Sequence, residues 1–142
     1  MKIVRRGSAA WSGGIKDGKG FISSESGALA RYPYGFASRF EGQKGSNPEE
    51  LLGAAHAACF TMALSLELGN AKLRAESLET TAKVTLEQVD AGYAVTAVHL
   101  VLEGKVPGAS PEAFAELANG AKANCPLSKV LKAEITLEVR LV

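Results

Sequence analysis

Between Leu51 and Leu68 the chain reads LLGAAHAACFTMALSLEL, a run in which nearly every residue is apolar or small. Immediately before it, Asn47-Pro48-Glu49-Glu50 supplies an N-cap, a proline at the first helical position and acids in the positive first turn. Glu50 stands three residues after Asn47, the spacing of a capping box. A helix therefore starts at Pro48 and runs to about Leu68, where Gly69-Asn70 stops it. With no polar face to turn toward water, such a helix is expected to be buried all round. One small sheet cannot cover it on every side, so a second subunit is expected to supply the rest.

The remainder is consistent with one domain spanning residues 1–142, without repeat, low-complexity tract or linker. The formal net charge is +1, and no run of Lys and Arg exceeds the pair Arg5-Arg6, so no nucleic acid and no anionic membrane surface is expected as partner. Small, roughly neutral ligands fit better. Met1 to Gly7 contains no apolar stretch of the secretory kind, which makes the cytoplasm the expected compartment.

Around the apolar helix the pattern alternates. Ser8 to Trp11 and Phe21 to Ser23, joined through a Gly13-Gly14 turn, read as an N-terminal hairpin, with a short strand expected around Phe36 to Glu41. Leu78 to Val89 and Tyr93 to Val106 form a second hairpin about Asp90-Ala91-Gly92. Leu78, Thr80, Ala82, Val84 and Leu86 share its core face. Ser110-Pro111-Glu112 caps a helix to about Ala123, Leu127 to Lys132 forms a shorter one, and Ala133 to Val142 is a last strand with Ile135, Leu137, Val139 and Leu141 on one side. The fold class is α+β.

The chain has two cysteines, Cys59 in the apolar helix and Cys125 in Asn124-Cys125-Pro126. They are too few and too far apart for a disulfide scaffold or a zinc pattern, and in a reducing compartment a working pair is more often redox-active than structural. With Pro126 opening a helix, Cys125 is the more acidic thiol. An apolar interior raises the pKa of Cys59, which then needs a nearby cation to become a thiolate. Its alternative is simple packing, since cysteine is among the most buried residue types. His56 lies three residues before Cys59 on the same helix face, as half of a metal site or a base beside a nucleophile, with an ordinary hydrogen-bonded histidine as the default. Arg39, between Phe36 and Phe40, is a candidate for the missing cation or else a solvated arginine, and Glu49 is its candidate partner or else a plain first-turn acid.

The stretch from Asn47 to Phe60, NPEELLGAAHAACF, together with Asn124-Cys125-Pro126, resembles the OsmC/Ohr family of thiol peroxidases, in particular its OsmC branch. The resemblance extends to Trp11-Ser12-Gly13, Pro33-Tyr34-Gly35-Phe36, Arg39-Phe40-Glu41-Gly42 and the segment Leu131 to Leu137. It implies an enzyme of oxidative and osmotic stress defence that reduces organic hydroperoxides, and hydrogen peroxide less efficiently. Cys59 falls on the family's peroxidatic position, Cys125 on the resolving one, Arg39 on the catalytic arginine and Glu49 on its paired glutamate. The implied fold is an intertwined homodimer whose sheets, drawn from both chains, wrap long central helices. No metal, haem or flavin is implied. The resulting disulfide is reset by an external dithiol, with lipoyl-bearing proteins as the family's donor class.

Glu49 stands ten residues before Cys59, or about 15 Å along a shared helix, which predicts that Glu49 completes the site of the partner subunit. Tyr34, Phe36, Phe40 and Met62 are candidates for holding the organic part of the peroxide, or equally plain core. The rival readings are a non-catalytic dimer that binds a small molecule on the same fold, and a redox sensor.

Overall fold

The computed structural model describes residues 1–142 as six strands and four helices. Two compact units divide it, Met1–Leu51 and Leu52–Val142.

In the first unit β1 (Gly7–Ser12), β2 (Lys19–Ser24) and β3 (Tyr32–Tyr34) form an antiparallel sheet in that order. Trp11 pairs with Gly20 and Gly20 with Tyr34, and the absent side chain at Gly20 leaves room for the Trp11 and Tyr34 rings, whose centroids lie 5.5 Å apart. The residues expected to form a strand near Phe36 to Glu41 are instead the helix α1 (Phe36–Phe40). Ser38 explains the difference: its Oγ accepts from the Gly35 N–H at 3.0 Å, and it contacts the Ser46 carbonyl oxygen at 2.8 Å, which winds the segment into a turn. Phe36 and Phe40, four residues apart, then stack on one face at 4.9 Å.

α2 (Pro48–Asn70) begins where the capping signals put it, with the Glu50 N–H donating to Asn47 Oδ1 at 2.8 Å and the Asn47 amide reaching back to Glu50 Oε2 at 3.3 Å. The expectation that it is buried on every side does not hold for one chain. Gly53, His56, Phe60, Leu64 and Leu68 form a single buried stripe, while Met62 is 78% and Leu66 65% exposed. By length and hydropathy alone α2 would pass for a membrane span, but its buried stripe belongs to a protein core.

That core is built in the second unit. β4 (Ser77–Val89) and β5 (Gly92–Lys105) form the expected hairpin, and β6 (Glu134–Leu141) lies parallel to β5 on its other edge. Leu100 pairs with Ala82 on one side and Leu137 on the other, and Leu102 pairs with Thr80 and Val139, so the inward residues of three strands form continuous rungs. The parallel return from β5 to β6 needs a crossover, which α3 (Pro111–Asn124) and α4 (Pro126–Val130) provide. Phe114 of α3 is fully buried, and Gly104 on β5 leaves room for its ring: a Cβ there would collide with it. Gly53 serves α2 in the same way, since a Cβ at that position would press on the Ala82 carbonyl oxygen of β4 at 3.2 Å.

Candidate active site

Cys59 lies near the middle of α2, and Cys125 occupies the corner between α3 and α4. Pro126 keeps the preceding residue extended, so the chain turns sharply at Cys125, whose N–H bonds back to Ala121 O at 2.9 Å and whose carbonyl accepts from the Lys129 N–H at 3.2 Å. This corner presses the Cys125 side chain against α2. The two Sγ atoms lie 2.9 Å apart although 66 positions separate the residues, and both cysteines are free. Cys125 is fully buried and Cys59 half-buried.

Burial pushes the Cys59 thiol above its ordinary value, the neighbouring Cys125 adds to this, and the Leu127 backbone N–H opposes it. Burial acts in the same direction on Cys125. There it is outweighed by hydrogen bonds to the sulfur from Cys59, the backbone N–H groups of Ser128 and Leu127 and the Ser128 hydroxyl, so the thiol is held below its ordinary value. Cys125 is the more acidic thiol, as its position before Pro126 predicts.

His56 is fully enclosed, its Nε2 2.8 Å from Ser128 Oγ and its Nδ1 without a partner. Burial lowers its pKa and keeps the ring neutral. It is the hydrogen-bonded core histidine of the default reading, with a serine the sequence does not single out. No group of three or more His, Cys, Asp and Glu side chains that could hold a metal ion is present.

The other candidates meet in the first unit. Arg39 on α1 grips Glu49 in the first turn of α2 with two parallel bonds, Nε to Oε2 at 3.1 Å and a terminal nitrogen to Oε1 at 2.6 Å. The guanidinium also lies 5.3 Å from the Phe40 ring centroid. Beside this pair opens an apolar cavity of about 310 Å³ lined by Trp11, Ile15, Tyr34, Phe36, Arg39 and Phe40. Three of the four residues expected to hold the organic group thus line one cavity. Met62 is elsewhere, on the open face of α2, beside a separate hollow with Ala58 and Thr80. Trp11 and Ile15 escape sequence reasoning because the turn between β1 and β2 brings Ile15 round to a residue on the strand before it.

A family model described as OsmC-like protein matches residues 41–140. The chain is 57% identical to Peroxiredoxin OsmC of Escherichia coli strain K12 over 141 residues, covering 99% of each. Among solved structures it is similar to the organic hydroperoxide resistance protein OhrB of Bacillus subtilis, with 26% identity, a TM-score of 0.68, and 96% of this chain and 98% of that one covered. An OsmC-like protein from Mycoplasma pneumoniae superimposes with a TM-score of 0.77 at 18% identity, over 100% of this chain and 99% of that one, which speaks to the fold alone.

Proposed function

The chain belongs to the OsmC family, and on that footing we propose that it is a thiol-dependent peroxidase that reduces organic hydroperoxides, and hydrogen peroxide less efficiently, to alcohols. The observation that carries this reading is the 2.9 Å approach of Cys125 Sγ to Cys59 Sγ, two side chains with no sequence neighbourhood in common.

In the first step the Cys59 thiolate attacks the peroxide oxygen distal to the organic group. The O–O bond breaks, the departing alkoxide takes a proton to become the alcohol, and Cys59 is left as a sulfenic acid. Cys125 then displaces the oxygen as water and closes a disulfide, which a dithiol, such as a lipoyl-bearing protein, reopens by exchange. Burial raises the Cys59 pKa, so the attacking thiolate needs a cation. Arg39, oriented by Glu49, is the residue we assign to that role.

Glu49 is about 15 Å of helix away from Cys59, and it holds the Arg39 of its own chain. We therefore assign the Arg39 and Glu49 of one protomer to the Cys59 of its partner, in an intertwined homodimer. The open face of α2, with Met62 and Leu66, is the surface such a partner would cover. In the same reading residues 1–142 are one domain working in the cytoplasm, in defence against oxidative and osmotic stress. The aromatic cavity beside Arg39 receives the organic group through Tyr34, Phe36 and Phe40, with Met62 contributed from the interface.

Consumption of cumene hydroperoxide with a dithiol reductant, compared between wild type and Cys59→Ser, tests the reading. Turnover by wild type with a fall of at least about a hundredfold in the variant is expected. Equal rates, or none in either, would remove it.

A further inference from the structure

The first chemical step accounts for Cys59 and Arg39, but it leaves unexplained a histidine sealed in the core and bonded to Ser128, three residues past the other cysteine. His56 is fully buried, on the stripe of α2 that faces the protein interior. Its Nε2 lies 2.8 Å from Ser128 Oγ, and Ser128 stands three residues past Cys125 on α4, its hydroxyl among the groups that hold the Cys125 thiol below its ordinary value. We propose that His56 and Ser128 are positioning residues for disulfide formation: a hydrogen-bond chain from the imidazole through the hydroxyl to Cys125 Sγ steadies the resolving thiolate and sets its nucleophilicity. The inference rests on the peroxidase reading and adds to it the groups that govern its second step.

The direction of the chain follows from counting protons. A serine hydroxyl has one hydrogen, and if that hydrogen points at Cys125 Sγ, its oxygen must accept from His56 Nε2–H. The tautomer is then fixed, and the orphaned Nδ1 is a bare lone pair, a more tolerable buried orphan than an unmet N–H. A neutral ring is what this arrangement requires, and burial holds His56 neutral. The groups acting on Cys125 are Cys59 from α2 and Leu127 and Ser128 from α4, and none carries a fixed charge. A thiolate there depends on hydrogen-bond donors, and the Ser128 hydroxyl is the one side-chain donor among them besides Cys59 itself.

The step balances without another reactant. The Cys125 thiolate attacks Cys59 Sγ with its electron pair, the S–O bond of the sulfenic acid breaks, and the departing oxygen takes up one proton, equal to the one Cys125 lost on ionising, to leave as water. Cys125 is oxidised, and the oxygen delivered by the peroxide ends in water.

Two measurements on the full chain test this. In a Cys59→Ser background the ultraviolet absorbance of the Cys125 thiolate is titrated against pH for Ser128→Ala, His56→Leu and His56→Gln. The midpoint should rise by about one unit in the first two and recover partly in the third, whose amide restores an N–H donor. With Cys59 present, disulfide formation after one equivalent of cumene hydroperoxide should slow about tenfold at neutral pH in Ser128→Ala and regain its rate under alkaline conditions, with the initial loss of peroxide slowed much less. Unchanged midpoints, or a slower step with an unchanged pH profile, would reduce His56 and Ser128 to packing and overturn the proposal. Ser128→Ala removes one oxygen and no bulk, so it decides the matter even if His56→Leu fails to fold. Wild type that consumes no hydroperoxide sinks the peroxidase reading itself, whatever the titration shows, and the resolving role falls with it.

Discussion

Cys59 and Cys125 meet within the continuous core of the second unit, whereas Arg39 and Glu49 meet in the first, where Gly20 and Ser46 are the only buried residues. The two settings do opposite things to charge. Around the thiols, burial is the largest influence on both groups, and it penalises the anion that chemistry needs. Around the guanidinium water is near, with 36% of the Arg39 side chain exposed against 13% for Glu49, and the glutamate's two bonds fix where the guanidinium points. A nucleophile kept dry and a charge kept wet are each incomplete, and in the proposed homodimer a second copy of the chain joins them.

The largest break in this comparison comes from the dry side. Cys125→Ser should permit one oxidation of Cys59 and then stop, with steady-state turnover with a dithiol lost almost entirely and sulfinic acid accumulating on Cys59 by mass spectrometry. Sustained turnover would mean that Cys125 resolves nothing. Next in size is the wet side. Arg39→Ala leaves the raised Cys59 pKa without its cation, so the thiolate fraction at neutral pH falls by about tenfold per unit of rise, and the rate returns as the solution is made alkaline. A neutral-pH rate equal to wild type would dismiss Arg39. The same variant sharpens the question of sharing: Arg39→Ala and Cys59→Ser, each nearly dead, should regain activity when co-expressed, because a mixed dimer holds one intact site. No recovery would place both residues in one chain's site. The smallest effect is one of stability. Gly104→Ala brings a methyl against the buried Phe114 ring and should cost about 1–3 kcal/mol in urea unfolding, with the thiol chemistry of the folded protein intact.

Much of the second unit was legible because its signals are long. The thirteen-residue β4 alternates without a break from Ser77 to Glu87, and the capping residues of α2 act within one turn, so period and local chemistry suffice. The first unit is made of pieces too short for a period to show. α1 has five residues and β3 three, and β3 carries Pro33, which an edge strand tolerates. The ends of a five-residue helix also match alternate positions of a strand, and the choice fell to Ser38, whose partner Ser46 lies eight residues on. The site divides in the same way. Asn124-Cys125-Pro126 announces an acidic thiol locally, and the resemblance names Cys59, but the bond from His56 to Ser128 spans 72 positions and leaves no pattern in the chain. The all-apolar helix was legible as a helix and misleading about its burial in one chain, because composition alone does not tell which face of an apolar helix its own chain covers.

The two sulfurs also differ in access: Cys59 keeps a partial opening, and Cys125 has none. In the proposed cycle an incoming thiol that reopens the bridge meets Cys59 first and expels Cys125 inward, toward the donors that favour its charge. On that reading peroxide and reductant enter by a single doorway, and the inner sulfur never has to leave the house.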